Sequence, residues 1–398
     1  METLIQLYRK KIALTDTSFI RSLEHEINWS ARLICIRGAR GTGKTTMMLQ
    51  HIKLHFEDDL SKALYVSLDN LYFSSHSLLE TAAEFARRGG THLFLDEVHK
   101  YPDWSQIITN LYDDYPELSV VYTGSSLLEI LNARADLSRR ALVYEMQGLS
   151  FREYIAMKEH IILPSYSLEQ ILSENEKISS EIVSQIKPFA YFENYLRFGY
   201  YPFFMEGEDD YYSRLNESVN MTLEIELPLL RNVEIGYVAK IKRLLGIIGS
   251  SVPFIPNVTE LASLLGIARQ TLLTYFQYLA DGKLIALLYK DSRGLNALSK
   301  PDKILLDNPN IMFLLSQDKA DKGSVRESFV RSQLSYHHKV MFSENSDFFV
   351  DDTWTFEVGG RNKKRTQIEH ISNSYIIADD IEYGTDRRIP IWLLGFMY

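Results

Sequence analysis

The sequence predicts an α/β fold whose first part is a parallel sheet covered by helices on both faces. Three observations carry the prediction. Apolar runs of strand length alternate with helical patterns from Leu33 to Met146, a glycine-rich loop joins the first run to a helix, and two carboxylates end a later run. Parallel strands need long crossovers, and helical crossovers cover the sheet faces.

The first strand is read at Leu33-Ile34-Cys35-Ile36, and a helix from Thr46 to Ile52. Between them stands Gly38-Ala39-Arg40-Gly41-Thr42-Gly43-Lys44-Thr45, a complete G-x-x-x-x-G-K-[ST] pattern in strand–loop–helix context. Glycines let backbone N–H groups turn inward around phosphate oxygens, and the helix N-terminus adds partial positive charge. Lys44 is expected to reach the β- and γ-phosphates, and the Thr45 hydroxyl to ligate Mg²⁺, with Thr46 opening the helix. The motif therefore implies a nucleoside triphosphate and Mg²⁺ as ligands.

Ala63–Leu68 reads as a second strand, and Ser77–Arg88 as a helix stopped by Gly89-Gly90. His92-Leu93-Phe94-Leu95 then delivers Asp96-Glu97 at a strand end. Ligands of open parallel sheets gather at the carboxyl ends of the strands, where the loop would also lie. Asp96 is the expected Mg²⁺ residue, and Glu97 is placed to polarise an attacking water. A fourth strand, Leu118–Tyr122, ends in Thr123-Gly124-Ser125-Ser126; a fifth is read at Ala141–Met146. Thr123 and Ser125 offer hydroxyls for the γ-phosphate or the water, with helix capping by Ser125 or Ser126 as the other reading. Arg139, in Ser138-Arg139-Arg140, is a candidate cation for transition-state charge, and a surface ion pair is its alternative.

Composition bounds these readings. The 398 residues are 45% hydrophobic and 24% charged, as in soluble globular proteins of several domains. The net charge of −9 argues against a globally basic nucleic-acid binder, though not against a local basic patch. The single cysteine, Cys35, lies in the first strand and reads as a core residue. Neither a signal peptide nor a long apolar span is visible, so a cytoplasmic protein without membrane contact is expected.

Four segments together resemble a large prokaryotic family of AAA-type ATPases, related to the archaeal ATPases. They are Arg37–Thr46, Phe94–Trp104 (Phe-Leu-Asp-Glu-Val-His-Lys-Tyr-Pro-Asp-Trp), Tyr122–Ser126 and Leu149–Tyr154. The resemblance implies an AAA-type fold with Thr123 or Ser125 in the sensor region and an arginine near Arg139. It covers the chain nearly end to end, most strongly before residue 155. Arginine fingers often act from a neighbouring subunit, so a homo-oligomer is an open expectation.

The second half divides into a helical segment at 156–245, a winged-helix-like region at 246–300, and an α+β region at 301–398, after an ATPase domain at 1–155. Leu261, Leu264 and Leu265, the Gly266 turn and a second helix give a helix-turn-helix layout, and Gly282–Tyr289 a strand resembling the start of a wing. Arg269, Gln270 and Thr274 are the candidate DNA contacts, with protein contact as the alternative. The last region resembles a restriction-endonuclease-type fold. Glu327, Asp347 and Glu357 are its candidate acidic residues. Where that fold expects Glu-x-Lys, this chain has Glu357-Val358-Gly359, leaving only Lys363 or Lys364 to reach in from the loop. A degenerate, non-cleaving domain is the resulting expectation. The functional reading is an ATP-dependent switch or motor, or an ATP-gated DNA-binding regulator or defence component, with an ATP-dependent nuclease as the third alternative.

Overall fold

The structure is a computed structural model. It describes residues 1–127, 137, 139–251, 254–290, 300–316 and 319–398. The chain forms two compact units, Met1–Gln147 and Gly148–Tyr398.

The first unit is built on a five-stranded parallel sheet in the order β2-β3-β4-β1-β5. Its strands are β1 (Leu33–Gly38), β2 (Ala63–Ser67), β3 (His92–Asp96), β4 (Ser119–Ser125) and β5 (Leu142–Glu145). Leu33, Ile34, Cys35 and Ile36 are all buried, as an unbroken apolar run in a sheet covered on both faces requires. The helices are α1 (Glu2–Leu14), α2 (Leu23–Glu26), α3 (Lys44–His55), α4 (Leu78–Arg87) and α5 (Trp104–Asp114). From β1 the chain crosses out to β2, then returns through β3 to β4. Right-handed crossovers in opposite directions put α3 on one face and α4 and α5 on the other. In agreement, α1 packs on α3, and α4 on α5. The α4 start read at Ser77 is a cap: its hydroxyl accepts from the Glu80 N–H.

The topology has one consequence for the site. β4 lies between β1 and β3, so three parallel strands end side by side, with Ser125 opposite Gly38 and Tyr122 opposite Leu95.

The second unit begins at Gly148, seven residues before the limit expected at 155. The reason is local: Ser150 and Glu153 form a capping box for the helix Phe151–Glu159, and Phe151 packs on Phe192, Tyr195 and Phe396. Helices dominate from there to Ser250. The helices Val258–Leu265 and Arg269–Asp281 meet through Gly266, and β6 (Ile285–Leu288) pairs antiparallel with β7 (Lys303–Leu306). A mixed sheet follows in the order β12-β11-β10-β9-β8, made of β8 (Val340–Phe342), β9 (Phe348–Val350), β10 (Trp354–Gly359), β11 (Ser374–Ala378) and β12 (Arg388–Pro390). The helix Lys322–Leu334 packs against β10.

Candidate functional site

The loop after β1 is shaped by its glycines. Gly41 and Gly43 take φ of 83° and 97°, left-handed values that cost glycine little. Gly38 allows a close approach instead: a Cβ there would sit 2.2 Å from the Met146 carbonyl oxygen. Thr42 is fully buried; its hydroxyl donates to the Ala39 carbonyl at 2.9 Å. The Lys44 ammonium donates to the carbonyls of Gly38 (2.8 Å) and Ala39 (2.9 Å), which holds it across the loop at the start of α3. Arg40 and Thr46 are exposed.

Asp96 is buried at the end of β3 and accepts three hydroxyls. Thr45 donates to it at 2.7 Å, the Tyr65 phenol at 2.8 Å, and Thr123 donates through a short hydrogen bond. Burial, reinforced by the Asp96 charge, pushes the Tyr65 phenol well above its ordinary pKa, so it stays a donor. The Thr123 oxygen also accepts from the Glu97 N–H at 3.1 Å. Thr123 thus holds both carboxylate residues by one hydroxyl. Glu97 itself takes φ of 55°, a left-handed conformation that strains a non-glycine residue by about 1–2 kcal/mol. Its carboxylate lies 3.3 Å from His99 Nε2.

Lys44, Thr45, Asp96, Glu97 and Thr123 are therefore gathered around three strand ends. Ser125, also buried, accepts from the Leu127 N–H at 3.3 Å. Arg139 is exposed, and its neighbour Ser138 lies outside the described residues. Two contributors escape a reading of the sequence. Tyr65 carries a weak signal, because a tyrosine in an otherwise apolar strand needs a partner for its hydroxyl. Arg21 carries none: buried in the segment before α2, it donates to the Thr42 carbonyl and to the Gln147 carbonyl, each at 2.8 Å.

This arrangement meets its counterpart in a known family. Residues 30–155 match the family model of the AAA domain. That stretch is similar to an AAA domain. Two curated relatives extend the similarity beyond it, both from Methanocaldococcus jannaschii. The uncharacterized protein MJ1637 is 27% identical over 277 residues, 66% of this chain and 58% of its own length. The uncharacterized protein MJ1544 is 24% identical over 354 residues, 84% of this chain and 73% of its own. This chain therefore spans little more than half of MJ1637. Among solved structures, AMPPCP-bound DnaA from Aquifex aeolicus is 14% identical, covering 65% of this chain and 85% of its own, with a TM-score of 0.25. A likeness that weak carries no argument.

In the second unit, Arg269 and Gln270 are exposed at the start of their helix, whereas Thr274 is half-buried and donates to the Gln270 carbonyl at 3.1 Å. Glu327, Asp347 and Glu357 come together although far apart in sequence, and two lysines join them. Lys303 Nζ lies 2.6 Å from Glu327 and 3.7 Å from Asp347. Lys363 Nζ lies 2.5 Å from Glu357 Oε1. Of the two loop lysines left by the glycine at 359, Lys363 is the one that lies against Glu357. A side chain at position 359 would collide with the Lys363 stem, whose Cγ and Cδ lie 2.7 Å from where a Cβ would stand. Gly359 is the space that Lys363 occupies. Asp347 is anchored by the Val358 N–H at 2.7 Å. Burial raises the carboxyl pKa values of Glu327 and Glu357 above the usual range. Burial opposes the charge of Lys363, but the Glu357 hydrogen bond and nearby carboxylates outweigh it, so its ammonium form is favoured.

Among the described residues, no helix is long and apolar enough to cross a membrane.

Proposed function

We propose that the first unit binds ATP with Mg²⁺ and hydrolyses it, and that the nucleotide state switches the modules of the second unit. The observation that carries this reading is the chain of contacts from Thr45 to Asp96 to Thr123 to the Glu97 backbone, which ties the phosphate-loop helix to the carboxylate strand end. The AAA domain match supports it independently.

The donor set fits the metal. A threonine hydroxyl and a buried carboxylate 2.7 Å apart are the hard oxygen ligands that Mg²⁺ selects. Thr45 and Asp96 would hold the ion, directly or through water; when bound it would neutralise charge on the phosphate oxygens. The backbone of Gly38, Ala39, Arg40, Gly41, Thr42 and Gly43 would cradle the phosphates, and Lys44 would exchange loop carbonyls for phosphate oxygens. Thr123 fixes the Glu97 backbone, and Glu97 would orient the attacking water. Ser125 remains a candidate contact near the γ-phosphate. Arg139 is kept as an arginine-finger candidate, which implies a second copy of this chain.

The test is ATP turnover by wild type, Lys44→Ala and Glu97→Gln. Loss of turnover in both is expected, with Glu97→Gln still binding ATP. Undiminished turnover in both variants overturns the assignment.

Within the second unit we retain a helical segment, a winged-helix-like region and a nuclease-like region as the responding modules, with DNA or a protein as partner. Gel-shift measurements at stated salt, with and without ATP, separate the two, because phosphate contacts make DNA affinity strongly salt-dependent. A second reading, metal-dependent cleavage of nucleic acid, is favoured by the position of Lys363 against Glu357. Plasmid DNA incubated with Mn²⁺ and wild type, Glu357→Ala or Lys363→Ala decides it. Absence of cutting by all three retires it.

A further inference from the structure

We propose that Glu24, His51 and His55 form a binding site for one transition-metal dication of the zinc class, at the opposite end of α3 from Lys44 and Thr45. His51 and His55 are four residues apart on α3 and so lie on one face, one turn apart, with ring centroids 4.5 Å from each other. The short helix α2 brings Glu24 against that face. Glu24 Oε1 is 2.8 Å from His51 Nδ1 and 3.7 Å from His55 Nε2. The three ligand atoms all lie within 4.8 Å of one another. Tetrahedral bonds of about 2.0–2.1 Å place ligand atoms roughly 3.3 Å apart, so a small turn of the exposed His55 ring closes the set.

Two observations beyond proximity point to a ligand. Glu24 is only 5% exposed, yet its Oε2 has no hydrogen-bond partner. Buried carboxylate oxygens are ordinarily satisfied, and an ion that Glu24 chelates through both oxygens, with Oε1 already against the two histidines, would satisfy Oε2. Second, the His51 ring is stacked on Trp29 at 3.6 Å, which fixes its plane before any ion arrives. A ligand held in orientation by its surroundings is what a metal site requires. His55 is open to solvent and provides the path in.

The donor set names the class of ion. Two imidazole nitrogens and one carboxylate oxygen suit Zn²⁺ and its neighbours Ni²⁺ and Cu²⁺, while Mg²⁺ and Ca²⁺ prefer all-oxygen sites. The site is thus chemically distinct from Thr45 and Asp96 at the other end of α3. It also has a mechanical consequence. Arg21, three residues before Glu24, holds the Thr42 carbonyl of the phosphate loop. A metal ion bridging Glu24 to α3 would clamp that segment to both ends of the helix.

The test uses the full chain, free of any histidine tag and stripped with EDTA, titrated with Zn²⁺ alone by isothermal calorimetry. One Zn²⁺ per chain is expected, with affinity lowered at least about tenfold in His55→Ala and in Glu24→Gln. His55 is exposed, so its variant should keep the wild-type fold, checked by circular dichroism. Asp96→Asn and Glu357→Ala should bind Zn²⁺ as wild type does. As a second readout, Ni²⁺ should quench tryptophan fluorescence in wild type and much less in Trp29→Phe. Failure of wild type to bind one equivalent overturns the proposal. So does equal binding by His55→Ala and Glu24→Gln, or loss of binding in Asp96→Asn or Glu357→Ala.

Discussion

The Thr45 hydroxyl donates to the Asp96 carboxylate at 2.7 Å, joining the first turn of α3 to the end of β3. These residues are 51 positions apart in sequence, and β4 stands between their strands. The contact exists because β1, β4 and β3 run parallel and end together. The contact ties the phosphate-loop helix to the carboxylate strand end.

Thr123 is the residue whose removal should separate binding from turnover. Thr123→Val keeps the volume but leaves Asp96 short of one donor and the Glu97 N–H without its acceptor. A destabilisation of about 1–3 kcal/mol is expected from the unmet polar groups. Turnover should fall by about 10²-fold, the scale seen when a positioning contact is lost, while KM for ATP changes little. Thr123→Ser should retain most of the activity. Steady-state kinetics of the two variants checks this, and equal loss in both would remove the hydroxyl from the account.

Glu97 carries strain that serves its position. Glu97→Gly relieves a left-handed φ of 55° and should raise stability by about 1 kcal/mol while removing turnover. Denaturant unfolding together with an ATPase assay gives both numbers. A variant that is less stable than wild type contradicts the strain argument.

Cys35 should be inert while the chain is folded. Burial pushes its thiol pKa from 9.0 up to about 12. The neutral thiol is favoured in the folded state, so its stabilising contribution is complete below pH 9 and is lost as pH rises through 12. At pH 8 the thiolate fraction is about 10⁻⁴, so alkylation should follow unfolding rather than compete with it. Comparing alkylation with and without denaturant tests this; labelling at the same rate in both contradicts it.

Lys303 should be the costliest single charge to remove from the second unit. Lys303→Met leaves Glu327 and Asp347 without the ammonium between them, and losing one member of a buried ion pair costs about 3–5 kcal/mol. Adding Glu327→Gln to Lys303→Met should recover part of the loss. Unfolding midpoints of the single and double variants measure the coupling, and additive losses would show that the pair does not interact.

Much of the first unit is legible in its sequence because its signals are local. The glycine pattern before Lys44 specifies a loop by backbone sterics, and unbroken apolar runs specify strands covered on both faces. The carboxylate pair after Leu95 is visible for the same reason: a polar residue ends a buried strand where the chain emerges. The roles of partners are not local. Tyr65 is marked only weakly in sequence and Arg21 not at all, because their value comes from which strand or loop lies opposite.

The acidic cluster of the second unit shows the same division more sharply. Glu-x-Lys is a local pattern, and its absence at Gly359 is read correctly. What replaces it is only partly local, since Lys363 is one of two candidates in the following loop while Lys303 belongs to a distant strand. Lys363 reaches Glu357 only because the chain turns back over Gly359, and Lys303 arrives from β7.

By itself, then, the sequence determined the α/β class, the phosphate loop from Gly38 to Thr45 and the presence of Asp96 and Glu97, all properties of short segments with their own sterics and hydrophobic period. Tertiary structure alone decided that Thr123 holds Asp96 and Glu97 together, that Arg21 braces the loop, and that Glu24 meets His51 and His55. Those pairings depend on strand order and helix placement, which no window of sequence contains.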